Sequence, residues 1–113
     1  MSVSGRTDNA KRKFLIVDDH AGFRSLVRDL LIRRGNAVIE CVDGADALNA
    51  FESEHPDAVI MDIEMPGMDG ISATRAIRSV DSEASIAILT QYDSQEMREE
   101  SQRAGACAYV LKD

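Results

Sequence analysis

The chain has 113 residues, 44% of them hydrophobic and 29% charged, which is enough for one domain with a modest core. Thirteen Lys and Arg against twenty Asp and Glu leave a net charge of −7. That balance disfavours a nucleic-acid binder, because backbone phosphates demand basic surface. No apolar run reaches membrane-spanning length, and the first ten residues lack the apolar centre of a signal peptide, so a cytoplasmic protein is expected.

Residues 1–12 are expected to form a disordered tail, and the cluster Lys11-Arg12-Lys13 at its end reads as a solvated charge run. The first strand-like run, Phe14-Leu15-Ile16-Val17, ends in Asp18-Asp19. Phe23, Leu26, Val27, Leu30 and Leu31 then recur at helical spacing and make one apolar stripe. Gly35 is placed to stop that helix. The second run, residues 37–42, carries Glu40. Buried parallel strands are apolar throughout, so this run is expected at a sheet edge. A second helix spans about residues 45–54, buries Ala47, Leu48 and Phe51, and ends at His55-Pro56.

The third run, Ala58-Val59-Ile60-Met61, ends in Asp62. A third helix follows Asp69-Gly70 and buries Ile71, Thr74 and Ile77. The fourth run, Ile86-Ala87-Ile88-Leu89, ends in Thr90. Asp93 and Glu96 resemble a capping box for a fourth helix. Between Gln95 and Arg103 its only apolar residue is Met97, which fits a solvated helix and a weakly packed, movable surface equally well. The last run starts near Ala106 and closes on Lys112. Cys41 and Cys107 lie in strand-like runs without metal or disulfide spacing, so both are expected to be buried free thiols.

Strands alternating with helices imply βαβ units and a parallel sheet. In such sheets ligands bind beyond the carboxyl ends of the strands. That rule gathers Asp18, Asp19, Asp62, Thr90 and Lys112 at one edge. Each has a plain alternative: Asp as a turn or helix-cap residue, Thr90 as a β-branched strand end, Lys112 as a solvated charge. Together, three carboxylates call for a compensating cation, and hard oxygen ligands suit Mg²⁺. A hydroxyl and an ammonium beside them suit a phosphoryl group.

These residues resemble a known family. Val17-Asp18-Asp19-His20, Met61-Asp62-Ile63-Glu64-Met65-Pro66-Gly67-Met68-Asp69-Gly70, Leu89-Thr90 and Tyr109-Val110-Leu111-Lys112 look like the CheY-like receiver domain of two-component response regulators. The Asp-Asp-His start and Leu-Lys-Asp finish look most like the NarL/LuxR-type subgroup. The resemblance covers residues 13–113. It implies a flavodoxin-like α/β fold, doubly wound, with five parallel strands ordered 2-1-3-4-5. It also implies roles. Asp62 would accept a phosphoryl group from a histidine kinase or phosphotransfer protein. Asp18, Asp19, Asp62 and the Glu64 backbone carbonyl would hold Mg²⁺. Thr90 and Lys112 would contact the phosphoryl oxygens, and Tyr109 would turn with Thr90 as a switch. The chain would then be a signalling switch with only self-phosphorylating and self-dephosphorylating activity, controlling an output module, for this subgroup a C-terminal helix-turn-helix.

The sequence departs from the family pattern in places. Asp113 stands where many receivers have Pro after the Lys, Gln91 replaces a small residue, and Glu64 and Tyr92 flank the expected phosphoryl position. The usual fifth helix is not in this sequence, so Leu26, Leu30 and Val110 are expected to form an uncovered apolar patch, which either favours a homodimer or is covered by a helix of a longer parent chain. Two other readings are a haloacid-dehalogenase-type Mg²⁺ phosphohydrolase and a pseudo-receiver that only docks partners. The first expects Asp-x-Asp, whereas this chain has Asp62-Ile63-Glu64.

Overall fold

The computed structural model describes residues 11–112. Within them, strands and helices alternate: β1 (Lys13–Val17), α1 (Ala21–Arg33), β2 (Ala37–Cys41), α2 (Gly44–Glu54), β3 (Ala58–Met61), α3 (Gly70–Val80), β4 (Ile86–Thr90), α4 (Gln95–Ala104) and β5 (Ala108–Leu111). The strands form one parallel sheet in the order β2-β1-β3-β4-β5. This is the expected order, with β2 and its Glu40 at an edge. The expected tail over residues 1–12 lies almost wholly outside the described residues.

Strand side chains alternate between faces. Leu15, Val17, Val59, Met61, Ile86 and Ile88 point to one face and bury against Ala47 and Phe51 of α2 and Ala73 and Ile77 of α3. The intervening residues point to the face carrying α1. There Arg24 and Arg28 of α1 reach Glu40 of β2 at 2.9 and 3.3 Å, which satisfies the charge on that edge strand.

Local chemistry sets the helix ends. His20 caps α1 by accepting the Phe23 N–H on its Nδ1 at 3.0 Å. Gly35, at φ 87°, takes the left-handed conformation that ends it. Asp43 and Asp69 cap α2 and α3 through their carboxylates. His55 ends α2 in a left-handed conformation, directly before Pro56.

Several expectations are corrected. Lys13, grouped with Lys11 and Arg12 as a solvated charge run, is the first residue of β1, and its N–H donates to Asp57 Oδ2 at 2.7 Å. The cap of α4 is Ser94, whose Oγ accepts the Met97 N–H, while Asp93 faces Arg98 instead. β5 starts at Ala108 because Gly105 and Ala106 still bond back to Gln102 and Ser101 carbonyls to close α4. Leu48 and Ile71 are only half-buried. The α1 stripe is wider than its contact with the sheet, leaving Leu26 and Leu30 exposed and Phe23, Val27 and Leu31 half-buried. Cys41 is half-buried and Cys107, just ahead of β5, is exposed.

Candidate phosphoryl-transfer site

Register places the acidic residues. Val17 pairs with Met61, so Asp18 and Asp62 each stand one residue beyond the same rung. The Asp62 N–H donates to the Val17 carbonyl at 2.9 Å, and the Asp18 N–H to the Cys41 carbonyl at 3.1 Å. One edge over, the Lys112 N–H donates to the Thr90 carbonyl at 2.7 Å. These backbone bonds align the residues that close β1, β3, β4 and β5 along one edge of the sheet.

Carboxylate oxygens of Asp18, Asp19 and Asp62 lie within 4.8 Å of one another. Asp18 and Asp62 are buried and Asp19 is exposed. The Lys112 ammonium sits 2.8 Å from Asp18 Oδ2 and 3.3 Å from Asp62 Oδ2. Asp18 Oδ1 accepts the His20 N–H and Asp62 Oδ1 the Ile63 N–H, so each carboxylate is held in orientation. Burial pushes the Asp62 carboxyl above its ordinary pKa, and the nearby Asp18 charge adds to this against the pull of Lys112. Burial works to lower the Lys112 ammonium, but its bond to Asp18 and the Asp62 charge outweigh that and hold it above its usual value. Three carboxylates with one ammonium shared between two of them retain uncompensated negative charge. Such a donor set fits a hard divalent cation.

The Thr90 side chain is fully buried, and its Oγ1 accepts the Tyr92 N–H at 3.4 Å. Tyr109 donates its hydroxyl to the Tyr92 carbonyl at 2.7 Å, beneath the Arg98 guanidinium, which lies 4.5 Å from the ring centroid. The Tyr92 hydroxyl donates to Glu64 Oε1 across the mouth of the site. Tyr92 thus ties Thr90, Tyr109 and Glu64 together. Asp19, Asp62, Glu64 and Lys112 line one cleft; Asp18 joins through the Lys112 ammonium, and Thr90 and Tyr109 join through Tyr92.

Two wall residues make contacts that the sequence does not announce. The sequence places Tyr92 beside the expected phosphoryl position, but not its reach across the mouth to Glu64. Helical spacing places Phe23 in the apolar stripe, and the structure shows that it also lines the cleft, with the Lys112 Nζ 4.3 Å from its ring centroid. Its place on the first turn of α1, just after Asp18-Asp19, was the available signal.

Comparison with known proteins agrees with this geometry. Residues 14–113 match the response regulator receiver domain, and the chain belongs to that family. Receiver domains are phosphorylation-activated signalling switches, so the family stands against the haloacid-dehalogenase reading. The chain is 38% identical over 101 residues to chemotaxis protein CheY of Bacillus subtilis, covering 88% of this chain and 84% of that protein. It is 34% identical over 100 residues to sporulation initiation phosphotransferase F of the same organism, covering 88% of this chain and 81% of that one. Among solved structures, a LuxR-family two-component response regulator from Aurantimonas superposes with a TM-score of 0.87 at 38% identity, covering 92% of this chain and 76% of the other. The response regulator TrrA of Thermotoga maritima, solved in complex with Mg²⁺–BeF, gives 0.83 at 36% identity, covering 90% of this chain and 87% of the other.

No helix among the described residues is long and apolar enough to cross a membrane.

Proposed function

We propose that Asp62 is the phosphoacceptor of this receiver domain, spanning residues 13–113. Its carboxylate oxygen attacks the phosphorus of a phosphohistidine on a kinase or phosphotransfer protein. The P–N bond breaks, the imidazole leaves, and an aspartyl phosphate forms. Asp18, Asp19, Asp62 and the Glu64 carbonyl hold Mg²⁺. When bound, the ion supplies charge neutralisation to the phosphoryl oxygens. Lys112 neutralises the same developing charge, and positioning contributes most of the rate. Hydrolysis of the aspartyl phosphate at the same site resets the switch, and no other enzymatic activity is assigned.

The observation that carries this reading is the Lys112 ammonium shared between Asp18 and Asp62 in a three-carboxylate cluster. An aspartyl phosphate adds charge and acceptor oxygens. Thr90 moves toward them, and Tyr92 passes that movement to Tyr109 and to α4, whose apolar face is small. The switch surface then controls an output module, in this subgroup a helix-turn-helix, and the chain itself does not bind nucleic acid. It acts in the cytoplasm. Exposed Leu26, Leu30 and Val110 support self-association as a homodimer, which sedimentation equilibrium tests.

The test is labelling by a small phosphodonor with Mg²⁺. Wild type takes up acid- and base-labile phosphate and Asp62→Ala takes up none. Absence of label in both, with Mg²⁺ present, would favour a pseudo-receiver that only docks partners.

A further inference from the structure

We propose that Phe23 is a positioning residue for phosphoryl transfer, its ring face holding the Lys112 ammonium over the Asp18–Asp62 pair. The inference rests on the reading that Lys112 acts on the phosphoryl group.

Lys112 is a point charge on a stem of four rotatable bonds, and it follows the last strand of the sheet. Its backbone is fixed by Thr90, but that leaves the ammonium free to swing. Three contacts hold it: Asp18 at 2.8 Å, Asp62 at 3.3 Å and the Phe23 ring centroid at 4.3 Å. The two carboxylates are also the proposed metal ligands, so they share their hold on the ammonium. The ring, unlike the carboxylates, is not a proposed metal ligand. A cation over an aromatic face is attracted by the ring quadrupole.

The ring is itself held in place. Phe23 lies on the first turn of α1, and its N–H is anchored on His20 Nδ1 at 3.0 Å. Side chains on a helix lean toward its N-terminus, which here is the carboxyl edge of the sheet. Phe23 is half-buried and lines the cleft instead of joining the buried core. Packing alone would be met by an aliphatic residue, whereas attraction for an ammonium needs the π face.

Three measurements decide the matter. With Mg²⁺ and phosphoramidate, Phe23→Leu lowers the labelling rate about fivefold, and Phe23→Tyr restores it to within about twofold of wild type. In a Lys112→Gln background, Phe23→Leu causes no further loss, which a general packing defect would. In the metal-free protein, NMR shows the Lys112 ε-protons shifted upfield by the ring in wild type and Phe23→Tyr, and not in Phe23→Leu. Thermal melts confirm folding, and Phe23→Met replaces the Leu variant if that chain does not fold. A Phe23→Leu rate equal to wild type overturns the inference, as does an equal loss in the Lys112→Gln background. Wild type that does not label at Asp62 overturns the reading of the site and this inference with it. Wild type that labels while the variants behave alike overturns the inference alone.

Discussion

A Cβ placed on Gly70 would lie 1.8 Å from the carbonyl oxygen of Asp62, so the first residue of α3 rests directly on the backbone of the central carboxylate. The Gly70 N–H also donates to the Ile63 carbonyl at 2.8 Å. The close approach fixes where the chain leaves the site.

Gly70→Ala is therefore expected to destabilise the protein by about 3 kcal/mol, since the clash is with backbone and not with a side chain that can turn away. Urea unfolding measures it. A loss below about 0.5 kcal/mol, the range of an unremarkable surface change, would contradict the contact.

Asp62→Asn is expected to stabilise the metal-free protein at neutral pH. Burial raises the folded-state pKa of Asp62 above its unfolded value, with the Asp18 charge adding to it. The ionised form then opposes folding at neutral pH, and that penalty fades as pH falls through the carboxylate range until Asp62 is protonated in both states. Lys112 keeps Asp18 at 2.8 Å in the variant, so no buried cation is orphaned. Unfolding curves of both proteins from pH 7 to pH 3 should converge toward the acid end. A difference that widens toward acid pH, or a variant less stable at pH 7, would show that the Lys112 attraction outweighs burial.

Asp19→Asn removes the exposed member of the three-carboxylate cluster. It should weaken Mg²⁺ about tenfold or more while leaving the metal-free protein at least as stable, because repulsion among the remaining carboxylates falls. Calorimetric titration compares the two. Equal affinity would remove Asp19 from the metal site.

How much of this was legible in sequence depended on which property carried the signal. Glu40 marked β2 as an edge because a charge is hard to bury on both faces of a sheet. Asp18, Asp62, Thr90 and Lys112 were found because each ends a clear apolar run. The α1 stripe predicted helix but not depth: periodicity locates a face, and only the neighbouring elements decide whether Leu26 and Leu30 are covered. Ser94 displaced Asp93 as the cap because both residue types can cap, and adjacent candidates cannot be separated by spacing. The Tyr92 ties to Glu64 and Tyr109 join segments 28 and 17 residues apart in sequence, where no local pattern exists. Cys107 was expected inside a strand, but the closing turn of α4 runs two residues longer and leaves it exposed.

The two thiols should consequently differ in reactivity. Cys107 is exposed, whereas burial and the charges of Asp46 and Asp43 push the Cys41 thiol up. Alkylation at pH 7.5 should modify Cys107 at least about tenfold faster than Cys41. The pair should form no intramolecular disulfide, because β2 and β5 are opposite edges of the sheet, about four 4.8 Å steps apart. Mass spectrometry of timed alkylation and a non-reducing peptide map check both statements. A Cys41–Cys107 crosslink would contradict the strand order.

The most direct measurement locates the phosphoryl group. The protein is incubated with Mg²⁺ and phosphoramidate, then reduced with borohydride, which converts an aspartyl phosphate to homoserine. Peptide mass spectrometry should find homoserine at position 62 and aspartate at positions 18 and 19. Homoserine at another position, or undiminished labelling of Asp62→Ala, would contradict the account.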